Sequence, residues 1–164
     1  MWEGELQILK TALINEVEGE QFYALAAERS GDAELRQAFG KLADDERKHQ
    51  EFLRHLAQQI SARESEVKVD VLEFIEVSSP AIFVRAPAMT TPGNWEISAF
   101  YVGILMEKAS VDYYREAASR TTLASAKQLY ERLAAWEQSH LDALEKVYEV
   151  LQQEWWERQG FSPS

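Results

Sequence analysis

Apolar residues recur at alternating steps of three and four along most of the chain, the spacing that marks one buried face of a helix. In the first such stretch, about 4–30, the inner positions run Leu6, Leu9, Leu13, Glu16, Glu20, Tyr23, Ala27. In the second, about 32–61, they run Leu35, Phe39, Leu42, Glu46, His49, Leu53, Leu56, Ile60. The third, about 94–120, reads Ile97, Phe100, Ile104, Glu107, Val111, Tyr114, Ala118. The fourth, about 123–159, reads Ala126, Tyr130, Leu133, Glu137, His140, Leu144, Val147, Leu151. Four long helices with this seam predict a single all-α domain, a four-helix bundle.

The punctuation agrees. Gly31 fits the end of the first helix and Asp32 an N-cap for the second. Asn94 fits an N-cap for the third, and Thr121 or Thr122 for the fourth, which Gly160 ends. Between the pairs, 62–93 forms a long connector holding Pro80, Pro87 and Pro92. So long a connection in a compact domain has to cross the bundle. Within it, 67–77 is apolar enough for a strand or a short helix, and 78–93 reads as irregular loop.

The two halves align without gaps at an offset of 91: Glu16 becomes Glu107, Tyr23 becomes Tyr114, Glu46 becomes Glu137, His49 becomes His140, and Leu53 becomes Leu144. Each half is a helical hairpin that cannot bury its stripe alone. Two hairpins facing each other across a pseudo-two-fold axis close a bundle.

Six ionisable residues interrupt the apolar stripes: Glu16, Glu46, His49, Glu107, Glu137 and His140. Burying one unpaired carboxylate costs several kcal/mol or forces its pKa upward. Four of them converging need positive charge, and no Lys or Arg occupies the middle of any stripe. Bound metal ions satisfy that need. In Glu46-x-x-His49 and Glu137-x-x-His140 the two side chains share one helix face. Each lone Glu stands 30 residues before its paired Glu, with the expected turn midway, at Gly31 and at Thr122. Fifteen residues out and fifteen back set both carboxylates about 22 Å from the turn, at 1.5 Å per residue. All four helices thus contribute to one layer.

Composition narrows the classes. A chain of 164 residues with 46% hydrophobic and 27% charged residues is globular. A net charge of −11 argues against nucleic acid and anionic membrane surfaces as partners. With no cysteine there is no disulfide, thiolate zinc site or iron–sulfur cluster. The longest apolar stretch, 97–106, is too short to span a bilayer. The first residues, Met1 to Glu5, lack the basic-then-apolar order of a secretory signal, so a cytoplasmic protein is expected.

One Glu from each of two helices, with Glu-x-x-His from each of the other two, resembles the ferritin-like di-iron carboxylate pattern. The segment Glu16-Val-Glu-Gly-Glu-Gln-Phe-Tyr23-Ala-Leu-Ala-Ala, followed by Glu46-Arg-Lys-His49, is similar to a rubrerythrin-type domain. The resemblance spans about 6–151. It implies two iron ions bridged by Glu46 and Glu137, with Glu16 and His49 capping one and Glu107 and His140 the other. It also implies oxidoreductase chemistry of the peroxidase or ferroxidase type, reducing peroxide or O₂.

Three departures from related families shape these expectations. Rubrerythrins carry a four-cysteine rubredoxin-like module; with no cysteine here, electrons have to come from an external donor. Rubrerythrins also place a further Glu one turn after the third-helix ligand, where this chain has Ser110, which argues against ligand switching. Arg47 follows Glu46 where bacterioferritins have a haem-ligating methionine, and the four residues after Gly160 do not suggest the fifth helix of a storage cage.

The competing expectation is metal binding or sequestration without turnover, with zinc or manganese in place of iron on the same ligands. A plain bundle with a vestigial site is a third.

Other positions carry paired readings. Tyr23 and Tyr114 lie two turns beyond Glu16 and Glu107: either each hydroxyl orients a ligand carboxylate across the bundle or each is an ordinary core tyrosine. Glu20, whose repeat mate is Val111, is either an extra ligand or a helix-edge residue tilted to solvent. Trp136 shields the site or packs the core. Trp155 and Trp156 either bury in a homodimer contact or cover the bundle end. His55, with Phe52 three places before it, is expected at the surface.

Overall fold

In a computed structural model of the protein, which describes residues 2–62 and 94–160, four helices account for nearly the whole described chain. They are α1 (Trp2–Arg29), α2 (Ala33–Ser61), α3 (Asn94–Arg120) and α4 (Ala124–Arg158). Helix α1 packs along α2 and α3 along α4, and the hairpins meet through α1 with α3 and α2 with α4. The four stripes thus close the expected four-helix bundle, in the ferritin-like arrangement that the resemblance implies. Expectations for 67–77 and 78–93 lie outside the described residues. Among the described residues no helix is long and apolar enough to cross a membrane.

The turns differ in detail from the sequence reading. Asp32 caps α2, its side chain accepting a hydrogen bond from the Leu35 amide at 2.9 Å. Gly31 does not take the left-handed conformation; instead the Ser30 amide and hydroxyl both bond back to the Ala26 carbonyl. Gly160, at φ +77°, does take it and ends α4. Neither Thr121 nor Thr122 caps α4. The N-cap is Leu123, without a side-chain bond. Thr121 serves a different contact: its hydroxyl donates to Glu5 at 2.6 Å, and its oxygen accepts from the Leu123 amide. Glu5, one residue before the first expected stripe position, is buried there beneath the Tyr130 hydroxyl.

The core divides into two apolar clusters. One holds Leu9, Leu53, Leu56, Leu129, Tyr130, Leu133 and Tyr114; the other holds Leu35, Phe39, Leu42, Phe100, Leu144, Val147 and Tyr23. Full burial of such side chains stabilises by about 1.5–3 kcal/mol each. Between the clusters lies a layer of polar side chains.

Candidate metal centre

Glu16 on α1, Glu46 and His49 on α2, Glu107 on α3, and Glu137 and His140 on α4 form that layer, each no more than 4% exposed. The i, i+3 spacing puts each Glu and His of α2 and α4 on one helix face, and the hairpin turns set the two lone glutamates at their height.

The side chains converge as two overlapping groups. Glu16, Glu46, His49 and Glu137 form one, and Glu46, Glu107, Glu137 and His140 the other, with the ligand atoms of each group within 4.8 Å of one another. Glu46 and Glu137 belong to both. His49 Nδ1 lies 3.1 Å from Glu16 Oε2, 3.2 Å from Glu137 Oε1 and 3.6 Å from Glu46 Oε2. His140 Nδ1 lies 3.1 Å from Glu137 Oε2 and 3.6 Å from both Glu46 Oε1 and Glu107 Oε1. Each shared carboxylate therefore turns one oxygen toward each half of the site.

The tyrosines close the layer from its two apolar sides. The Tyr23 hydroxyl donates to Glu107 Oε1 and the Tyr114 hydroxyl to Glu16 Oε1, each from the other hairpin. Their rings lie in the two apolar clusters. Trp136 packs edge-on against His49 at 4.4 Å between ring centroids, so it both shields the site and fills the core.

Among the described residues no Lys or Arg pairs with these six groups, and the positive charge comes from the two imidazoles. Burial, together with Glu137 and Glu16, pushes the Glu46 carboxyl far above its usual range. Burial and Glu137 push Glu107 up to about 8. Burial also opposes the charged forms of Glu137, His49 and His140, but is outweighed at each. The two imidazoles hold Glu137 well below the usual carboxylate range. Glu137 and Glu16 raise His49, and Glu107 and the hydrogen bond to Asp45 raise His140. Protons thus take the place that cations would fill. Glu137 Oε1 is buried and makes no well-aligned hydrogen bond among the described residues, although His49 Nδ1 approaches it to 3.2 Å. Four carboxylates and two Nδ1 atoms facing one another, with such an oxygen at their centre, fit a pair of divalent ions.

Glu20 stands apart. Its carboxylate accepts from Arg47 Nε at 3.0 Å and from Gln50 Nε2 at 2.6 Å, at the α1–α2 edge. His55 is exposed and meets Gln59. Trp155 and Trp156 stack edge-on over a recess beside Ile97, Ser98 and Gln152.

One residue in contact with this cluster had no signal in the helical pattern. Asp45, 1% exposed, bonds His140 Nε2 at 3.3 Å and Lys48 at 2.9 Å. It lies beside Glu46 and off the stripe, and its histidine partner is 95 residues away.

The rubrerythrin family model matches residues 7–148. The chain belongs to the rubrerythrin family. A hypothetical protein from Pyrococcus furiosus has a similar fold, with a TM-score of 0.67 and 21% identity over 90% of each chain. No curated protein matches the sequence. The family match covers both hairpins and all six converging residues, and the sequence holds no cysteine that could form a rubredoxin-type site.

Proposed function

We propose that this rubrerythrin-family chain is a non-haem di-iron protein that reduces peroxide or O₂ in the cytoplasm, with electrons returned by an external donor. The observation that carries the reading is the sharing of Glu46 and Glu137 by two ligand groups, each with one oxygen toward either histidine. Glu16 with His49 would hold one ion and Glu107 with His140 the other; zinc or manganese could occupy the same donors.

Held by these residues, two Fe(II) ions would bring four positive charges to four carboxylates and would supply two electrons, enough with two protons to convert hydrogen peroxide to two waters. The protein's part is to hold and to exclude. Tyr23 and Tyr114 fix the orientation of the terminal carboxylates. The apolar clusters on either side keep bulk water from the layer. In the absence of ions Glu46, Glu107 and the two imidazoles hold protons, which have to leave before ligation.

Anaerobic loading with Fe(II), followed by peroxide or air, tests the reading. Two ions per chain and an absorbance change within seconds of adding oxidant are expected. Two ions that stay spectroscopically silent toward both oxidants would favour sequestration. Absence of metal uptake would overturn both.

A further inference from the structure

The pseudo-two-fold relation between the hairpins fails at one place that touches both histidines. The offset of 91 that equates Glu46 with Glu137 equates Asp45 with Trp136. Asp45 Oδ2 lies 3.3 Å from His140 Nε2, while Trp136 packs edge-on at 4.4 Å against His49. Both imidazoles are fully buried, and both turn Nδ1 toward the carboxylates. His49 Nε2 has no hydrogen-bond partner among the described residues.

We infer that Asp45 is a positioning residue for His140 and that the two ion positions are therefore unequal: the Glu107–His140 position fills first and holds its ion more tightly than the Glu16–His49 position. The inference rests on the metal-binding reading above.

The reason is where each imidazole keeps its proton. A neutral histidine that ligates through Nδ1 carries its proton on Nε2. For His140 that proton has a buried carboxylate to receive it. A carboxylate at that place fixes ring and tautomer and makes the ligating nitrogen more basic. Asp45 is itself held, since Lys48 Nζ binds Oδ1 at 2.9 Å and leaves Oδ2 for the imidazole. For His49 the same tautomer buries a donor with nothing to receive it. An ion on His49 Nδ1, which faces Glu16 and Glu137 at 3.1 and 3.2 Å, leaves that Nε2 donor without an acceptor, whereas an ion on His140 does not. Trp136 keeps the His49 ring in place but provides no carboxylate. Removing such an outer hydrogen bond lowers metal affinity roughly 10–100-fold, and the gap between the two positions is expected on that scale.

The test uses the full chain, freed of metal, with one equivalent of Zn(II). Anomalous scattering from crystals reads occupancy at each position, and chelator competition reads affinity. In the wild type, zinc is expected mainly beside His140. In Asp45→Asn the preference should collapse toward equal occupancy, and the tighter affinity should fall about 10-fold or more. Asp44→Asn changes the neighbouring exposed carboxylate of α2, which binds Arg47 rather than a histidine, and should keep the preference, which separates positioning of His140 from general damage to α2. Equal occupancy in the wild type overturns the inference while leaving the metal-binding reading intact, and needs no variant to fold. An unchanged preference in a folded Asp45→Asn protein also overturns it. If no zinc binds at all, the metal-binding reading falls, and this inference with it.

Discussion

Tyr23 on α1 donates its hydroxyl to Glu107 on α3, 84 positions further along the chain, while its ring packs against Phe39. Tyr114 makes the reciprocal bond to Glu16. Each hairpin thus orients the lone glutamate of the other. Tyr23→Phe should fold and lose about 10-fold or more in Zn(II) affinity by chelator competition. Tyr130→Phe removes a comparable bond to Glu5 at the far end of the bundle and should leave zinc affinity unchanged. Equal effects from the two variants would refute an orienting role for Tyr23.

Gly103 keeps that tyrosine in place. A Cβ there would sit 3.2 Å from Leu144 Cδ1 and 3.3 Å from the Tyr23 hydroxyl. Gly103→Val should destabilise the fold by about 1–3 kcal/mol through overpacking. It should also weaken zinc binding, because the displaced hydroxyl is the one on Glu107. Denaturant melts and competition titrations on the same preparation check both.

The shared carboxylates make opposite contributions with and without metal. Glu46→Gln removes a buried carboxyl that has to take up a proton when the chain folds, so at neutral pH the metal-free variant should melt above the metal-free wild type. Because Glu46 and Glu137 face both halves, Glu46→Gln and Glu137→Ala should each lose metal at both positions. Elemental analysis showing two fully occupied ions in either variant would contradict bridging.

Metal-dependent stabilisation should grow with pH. Glu107, raised to about 8 by burial and Glu137, and Glu46, raised well above its usual range by burial and Glu137, contribute stability below the ordinary carboxylate value. That contribution is lost as pH climbs through their folded values. His49 and His140, also raised, act in the same direction from their ordinary value of 6.5 upward. Divalent ions have to displace all these protons. The Tm difference between zinc-loaded and chelator-treated protein should therefore widen from pH 6 to pH 8, with protons released on binding. A narrowing gap would show that the layer is not protonated in the metal-free state.

Alkaline pH should unfold the chain through its tyrosines. Burial and neighbouring carboxylates raise Tyr23, Tyr114 and Tyr130 well above 10.0. Their contribution is complete below that value and lost above it, as the unfolded chain ionises and the folded one does not. Absorbance of these tyrosinates should appear together with loss of helical circular dichroism; their appearance in a folded chain would contradict the burial.

The helices and the converging acids were legible because both are periodic. A helix places every third or fourth residue on one face, so Leu42, Leu53, Leu133 and Leu144 mark the core. A Glu or His at the same spacing marks a buried charge. Asp45, Gln50 and Glu5 were not legible. Each lies off the stripe expected for its helix, and its burial depends on how closely the neighbouring helix approaches. Thr121 reads as a cap by residue type, yet its hydroxyl goes to Glu5, 116 positions away, because the chain ends of α1 and α3 meet there.

Residue order alone determined four amphipathic helices, their pairing as repeated hairpins and the layer of six ionisable groups, since each follows from spacing along a rigid helix. Packing of one hairpin on the other decided which tyrosine serves which glutamate, that Glu20 turns to Arg47, and that Asp45 meets His140 where Trp136 meets His49. Those contacts join residues with no fixed separation in sequence, and only the approach of one helix to another brings their atoms within bonding distance.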